Sequence, residues 1–363
     1  MSTLKVNSIT NKGNPVNIAN NITVGAGTAI REYYSQAGEP SGAGNGAVWW
    51  DTANDAYKML IEGEWYAVTQ IIPPPFLGDR GLFGGGNSTG GYQNTIDYVT
   101  ISTTSNAVDF GDLTVARIGL SSCAGGGRGL FAGGYTGTSS NVIDYVTVAT
   151  AGNAIDFGDL TLATHNLASC SDGVYGLFGG GQNGSTTNTI EYVTINTISN
   201  ATDFGDLTLA RFYVGACADI TRGVFAGGFA TAVVNTIDYV TIATTGNAVD
   251  FGDLSVTRYS AAGLSDNVYG LFGSGRNGST YYNTIDYVTI ATTGNATDFG
   301  DLNQTTSLVG ACANTSRGLF GGSNNASGYS NVIDYVTTAT PSNATDFGDL
   351  TIARGQLAAC SGN

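Results

Sequence analysis

IDYVTIATTGNATDFGDL, residues 285–302, is one of six near-identical passages in this chain of 363 residues. The Tyr-Val-Thr element begins at Tyr98, Tyr145, Tyr192, Tyr239, Tyr287 and Tyr335. The DFGD phenylalanine follows in the same phase at Phe110, Phe157, Phe204, Phe251, Phe299 and Phe347, in steps of 47, 47, 47, 48 and 48 residues. A third element, Gly-Leu/Val-Phe before a glycine cluster, places Phe83, Phe131, Phe178, Phe225, Phe272 and Phe320 in register with them. Self-similarity at this period marks a repeat architecture.

Each unit offers four strand-like segments, a to d. In the second unit they are IGLSSC (118–123), RGLFAGG (128–134), NVIDYVTV (141–148) and NAIDFGDL (153–160). They are rich in β-branched and aromatic residues, turn-formers separate them, and none has helical periodicity. Four antiparallel strands in under 50 residues is the size of a propeller blade. The ends then choose between a ring and an open array. The first unit starts at strand b (Arg80, Gly81, Leu82, Phe83), and the last is followed by an orphan strand a, GQLAAC (355–360). A ring whose last strand completes its first blade explains both ends and leaves no open blade face. The expected fold is all-β: a six-bladed propeller over 76–363, closed by the C-terminal strand and preceded by a small β-rich module. The order of Arg before strand a, Phe-Gly-Gly ending strand b, Tyr in strand c and an aromatic in strand d resembles the kelch repeat, with Phe110 and its equivalents where kelch units carry Trp.

Composition fits this picture and excludes several functions. Charged residues make up 11% of the chain, glycine numbers 54, and the formal charge is −15. That sign argues against nucleic acid, which needs a basic surface to displace counterions. No run of 18 apolar residues suggests membrane insertion, and the first residues lack a signal peptide's apolar stretch.

Five cysteines fall at one repeat phase, Cys123, Cys170, Cys217, Cys312 and Cys360, with Leu264 in the fifth unit. One histidine in the chain leaves them no metal or catalytic partner set, and equivalent points on neighbouring blades lie beyond disulfide reach. They are expected to pack as small hydrophobes between inner strands. DFG without a catalytic loop or a Gly-rich loop and lysine is not a kinase signature; its carboxylates and glycine are expected to blunt the outer strand edge. EF-hand spacing is missing, and neither a metal nor a cofactor is expected. Asp97, Asp144, Glu191, Asp238, Asp286 and Asp334 keep an acid before the tyrosine in all six units, whereas Arg117, Arg211, Arg258 and Arg354 occur in four, with Thr164 and Thr306 in the others. An obligate salt bridge keeps both partners, so backbone N–H groups are the expected donors, in a structural role.

Variation concentrates between strands b and c, where GNSTGGYQ (86–93), YTGTSS (135–140), QNGSTT (182–187), FATAVV (229–234), RNGSTYY (276–282) and NNASGYS (324–330) differ in length and chemistry. Tyrosine with small polar residues is the composition of adaptable contact surfaces. Tyr92, Tyr135, Gln182, Phe229, Tyr281, Tyr282 and Tyr329 are the candidate partner-binding residues. The alternative is solvated loops. His165, at the start of strand a where other units have Ile118, Phe212 or Tyr259, is expected to pack rather than react. No catalytic residue is singled out, because no unit carries a unique carboxylate, arginine cluster or histidine site.

Residues 1–75 lie outside the repeat. They divide into a segment at 1–34, an aromatic β-meander at 35–72 around Trp49, Trp50, Tyr57 and Trp65, and a stiff spacer at Pro73, Pro74 and Pro75. STLKVNSITN and EPSGAGNGAVWWDT…EGEWYAV resemble fibre proteins of tailed phages, particularly those of marine cyanobacteria. The resemblance implies a structural virion protein of tail-fibre or capsid-fibre type, located in the virion. Residues 1–34 would join other virion proteins, and the propeller would face a host-surface glycan or protein. It also implies a homotrimer, for which the sequence offers no coiled-coil heptads. The rival readings are a cellular kelch-type interaction module and an enzyme acting on glycans.

Overall fold

The computed structural model describes residues 77–362, together with the backbone of short strands between 9 and 68. The chain divides into two compact units, Met1–Pro75 and Phe76–Asn363. In the first, Val48–Asp51, Ala56–Ile61 and Glu64–Val68 are consecutive antiparallel neighbours, within a sheet that also holds Tyr33–Gln36, Ile9–Asn11 and Asn14–Val16. The proline spacer and most of segment 1–34 lie outside the described residues.

The second unit is a six-bladed β-propeller. Blade 2 pairs Ser121–Gly125, Arg128–Ala132, Val142–Thr147 and Ile155–Asp159 in the order a-b-c-d, every pair antiparallel. Blade 1 takes strands b to d from Arg80–Gly84, Thr95–Thr100 and Val108–Asp112, and strand a from Ala358–Gly362 at the other end of the chain. In that closure Cys360 lies opposite Leu82. The six a strands touch in an unbroken circle, Gly310–Ala313 meeting Ala358–Gly362 and the latter meeting Ser121–Gly125. Strand a begins at Ser121 rather than Ile118, because Gly119 turns the chain at φ 60°.

Apolar burial is organised by seams. Each of six core clusters joins two neighbouring blades; one unites Leu82, Ile96 and Phe110 of blade 1 with Leu120, Phe131 and Val146 of blade 2. The cysteines are buried and free. A Cβ placed on Gly81, Gly129, Gly176, Gly223 or Gly270 would come within 2.5–3.1 Å of the sulfur of Cys312, Cys360, Cys123, Cys170 or Cys217. Each thiol therefore fills the notch left by a glycine in strand b of the next blade, and Leu264 does so over Gly318. Burial pushes these thiols up, Cys360 to about 12, so they pack as the small hydrophobes expected.

DFGD does more than blunt an edge. Its phenylalanines are buried and meet the strand-c tyrosine edge-on, as in Tyr98–Phe110 at 5.9 Å between centroids. Its glycine takes φ 142–148° at a bulge opposite strand c, and a Cβ on Gly111 would lie 2.5 Å from the carbonyl oxygen of Gly152 in the next blade. Asn153 Oδ1 accepts from the Asp112 N–H at 3.1 Å, and Ala154 N–H donates to the Asp112 carbonyl at 2.7 Å. The glycine thus serves the seam: the c–d loop of one blade covers the outer strand of the blade before it. The first aspartate of the motif stays exposed.

The six repeat carboxylates lie under the link that enters each blade. All accept from a backbone N–H and from the side chain of the same link residue: Thr351 on Asp97, Thr114 on Asp144, Thr161 on Glu191, Thr208 on Asp238, Ser255 on Asp286 and Asn303 on Asp334. Backbone donors were expected; the arginines were wrongly set aside. Arg117, Arg211, Arg258 and Arg354 are fully buried and reach Asp144, Asp238, Asp286 and Asp97 at 2.9–3.1 Å. Their Nη2 atoms also donate to carbonyls of strand b, such as Phe131 at 3.0 Å. Where threonine replaces arginine the acid survives on its remaining donors, which is why the acid is constant and the cation is not. Burial, unopposed by a guanidinium, pushes Glu191 and Asp334 above the usual carboxylate range, with the Thr161 and Asn303 hydrogen bonds pulling the other way.

Candidate functional site

Strand b ends in two residues of positive φ, Gly133 at 66° and Gly134 at 104° in blade 2, and these lift the b–c loop onto one face of the ring. The d–a link returns to the same face. Loop and link meet in one antiparallel bridge per blade: Ile118–Tyr135, His165–Gln182, Phe212–Phe229, Tyr259–Arg276, Ser307–Asn324 and, across the closure, Gly355–Asn87. The backbone geometry repeats six times. The side chains do not.

The next link residue is left-handed in every blade: Gly119, Asn166, Tyr213, Ser260, Leu308 and Gln356, at φ 56–62°. For the five with side chains this costs on the order of 1 kcal/mol or more each. A hoop of hydrogen bonds holds them there. Asn166 N–H donates to the Gly119 carbonyl at 2.6 Å, Tyr213 to Asn166, Ser260 to Tyr213, Leu308 to Ser260, Gln356 to Leu308 and Gly119 to Gln356, the longest at 3.3 Å. This hoop surrounds the mouth of an axial cavity of about 120 Å³. Across the mouth, Gln356 Nε2 donates to the Tyr213 hydroxyl of the opposite blade at 3.3 Å. Small residues, including Ser122, Gly263, Ala311 and Ala359, separate it from a second cavity of about 100 Å³ at the other end.

Large side chains run round this face from the b–c loop of blade 1 to that of blade 5. Tyr92 and Tyr135 meet at 6.3 Å between centroids, and Tyr135 meets His165 at 5.1 Å. His165 lies between Gln182, whose amide nitrogen is 3.1 Å from Nε2, and Ser139, whose Oγ is 2.9 Å from Nδ1. An amide N–H of Gln182 donated to Nε2 would place the ring proton on Nδ1, facing Ser139. Burial lowers the His165 pKa, opposed by its backbone bond with Gln182, and so favours the neutral ring. Further round, Phe212 contacts Tyr213 and Phe229 at 5.1 and 5.5 Å, and Tyr259 contacts Tyr213 and Phe229 at 5.6 and 6.0 Å. The Arg276 guanidinium lies 5.0 Å from the centroid of Tyr259 and 6.0 Å from that of Tyr281. At the matching positions of blades 6 and 1 stand only Ser307, Asn324, Gly355 and Asn87.

Charge divides the ring just as sharply. None of the six b–c loops or six d–a links contains Asp or Glu, although the chain has 28 such residues. The turns between strands a and b at the opposite end carry Asp172, Asp219 and Asp266. Of the residues expected to bind a partner, Tyr92, Tyr135, Gln182, Phe229 and Tyr281 fall within the crowded arc. Tyr282 pairs through the backbone with Thr306, and Tyr329 with Asn324 in the loop of blade 6. The link residues Phe212, Tyr213 and Tyr259, and Arg276 in the loop, had not been singled out. Their signal was available, since the two positions after each link Arg or Thr differ among all six units. Among the described residues, no group of three or more His, Cys, Asp or Glu is placed to hold a metal ion. No protein-family model and no curated protein matches this chain, so its likeness to kelch repeats and to phage fibres rests on the quoted motifs.

Proposed function

We propose that this chain is a structural protein of a tailed-phage particle that displays its propeller for attachment to the host surface. The aromatic, carboxylate-free face is the contact surface, and residues 1–34 join other virion proteins. One observation carries the reading: a six-fold scaffold of near-identical blades bears a face with no six-fold symmetry. Scaffold positions repeat because the seams need the same residues each time. The face varies because each blade contributes a different part to one asymmetric surface, as expected of a surface that recognises rather than merely covers. Half-buried tyrosines there offer contact area at low entropic cost, and Gln182, Asn166 and Gln356 can adapt their hydrogen bonds. The fibre-like motifs at the N-terminus supply the virion context.

The test compares the full-length protein with the variant Tyr92→Ala, Tyr135→Ala, Phe229→Ala and Tyr281→Ala in adsorption to host cells. Adsorption is expected to vanish while the unfolding temperature stays near that of the parent. Unchanged adsorption refutes the assignment of this face.

A further inference from the structure

The arginines of the ring are almost all accounted for. Arg117, Arg211, Arg258 and Arg354 are locked onto repeat carboxylates. Arg80, Arg128, Arg222 and Arg317 start strand b, stack over Tyr98, Tyr145, Tyr239 and Tyr335 at 4.6–4.7 Å, and donate to carbonyls of the next blade at 2.9–3.3 Å. Arg276 differs. Among the described residues it is the one arginine whose guanidinium makes neither a hydrogen bond nor an ion pair; its Nε is buried without a partner, as are those of Arg117, Arg211, Arg258 and Arg354, but in those four Nη2 is matched. A buried donor left unmatched costs about 1–3 kcal/mol. Here it is held by rings in a loop region that contains no carboxylate, on a chain of net charge −15.

We propose that Arg276 receives the carboxylate of an acidic sugar, a uronic-acid type pyranose, whose ring lies against Tyr259 and Tyr281. The inference rests on the reading of this face as the host contact and names the chemistry of what is contacted. The guanidinium fork matches a carboxylate with two parallel hydrogen bonds, a geometry that a point charge cannot reproduce. Tyr259 and Tyr281, half-buried beside it, supply aromatic surface, which suits the apolar C–H face of a pyranose better than a flexible acidic peptide. The small bridge residues Ser307 and Asn324 of blade 6, with Gly355 and Asn87 at the closure, leave room for the rest of a saccharide. Charge complementarity points the same way: the loops and links of this face carry no Asp or Glu, whereas the a–b turns at the opposite end carry Asp172, Asp219 and Asp266.

Saturation-transfer NMR on the full-length protein, with methyl glucuronide and methyl glucoside as probes, tests the proposal. The two differ at C6 only, carboxylate against hydroxymethyl. The glucuronide is expected to bind about tenfold more tightly at low salt. Arg276→Met, which keeps the stem over the rings, should remove that preference; Arg276→Lys should retain a small part of it; Tyr259→Ala should weaken both sugars. Equal binding of the two probes, binding of neither, or a preference that survives Arg276→Met overturns the proposal. Cell adsorption separates this failure from that of the attachment reading. If Arg276→Met adsorbs like the parent while the four-residue alanine variant does not, the acidic sugar is excluded and attachment stands. Adsorption that survives the four-residue variant removes the reading on which the inference rests.

Discussion

Six seams join the blades, and they are of two kinds. Those entering blades 1, 2, 4 and 5 carry a buried arginine on the repeat carboxylate; those entering blades 3 and 6 carry Thr164 and Thr306. The second kind has been rebuilt rather than weakened. Glu191 reaches a third donor, the Leu162 N–H at 3.1 Å, and Asp334 takes the Asn303 amide at 2.6 Å. At the seam entering blade 6, Ser274 also stands where its sister blades have glycine and donates to the Thr306 carbonyl at 2.8 Å. The difference teaches that the hydrogen-bonded acid is the fixed part of the joint. The cation is one of several ways to complete it, as expected when a buried ion pair gains little over a neutral replacement that is fully matched.

Removing an arginine without rebuilding the joint is another matter. Arg211→Ala leaves the buried Asp238 charge on its Thr208 donors alone and frees the carbonyls of Phe225 and Thr236. The expected loss is about 3–5 kcal/mol, read by urea unfolding. A loss below about 1 kcal/mol would show the two kinds of seam to be equivalent. The bulge glycine supplies a control, since it occurs in both. Gly111→Ala, at a seam with arginine, and Gly158→Ala, at one without, each force a side chain into positive φ with its Cβ 2.5 Å from a carbonyl oxygen. Each should cost about 1–3 kcal/mol, and the two should agree. A gap of more than about 1 kcal/mol between them would tie the glycine's role to the arginine.

The smallest effect is electrostatic and belongs to blades 3 and 6. Glu191 and Asp334 hold their protons more tightly in the folded chain than in the unfolded one. Their contribution to stability is therefore complete below their ordinary values of 4.5 and 3.8, and is lost as pH rises through the raised ones. Replacing them by Gln and Asn should flatten that part of the stability–pH curve. An unchanged slope would show that neither acid titrates differently in the fold.

Repetition is what made so much of this legible. A motif written six times exposes its own phase, and the strand a that is missing before Arg80 and present after Arg354 announced the closure. Partner choice was harder to read. Arg117 and Asp144 are 27 residues apart, and because arginine is absent from two units, counting partners argued against a bridge that four blades contain. The site was half visible for a related reason. Loops that change length draw attention, as Tyr92 and Tyr281 did. Phe212, Tyr213 and Tyr259 sit in links of constant length, and only the folded ring lays them beside Phe229. Nothing in RNGSTYY marks Arg276 as unpaired until the other guanidinium groups of the described residues have been placed.

The hoop at the axial mouth has no first or last member, since Gly119 takes the carbonyl of Gln356 just as each other amide takes that of its predecessor. A belt without a buckle cannot be undone one notch at a time. Excising one 47-residue copy would not leave a shorter arc with the remaining amides content. Five blades would have to draw together around a narrower opening, or two edges would hang free. Gain or loss of whole copies is thereby a change of circumference, whereas replacement of single residues on the rim is not. That asymmetry lets the side chains of the rim vary one at a time while the number of blades stays fixed.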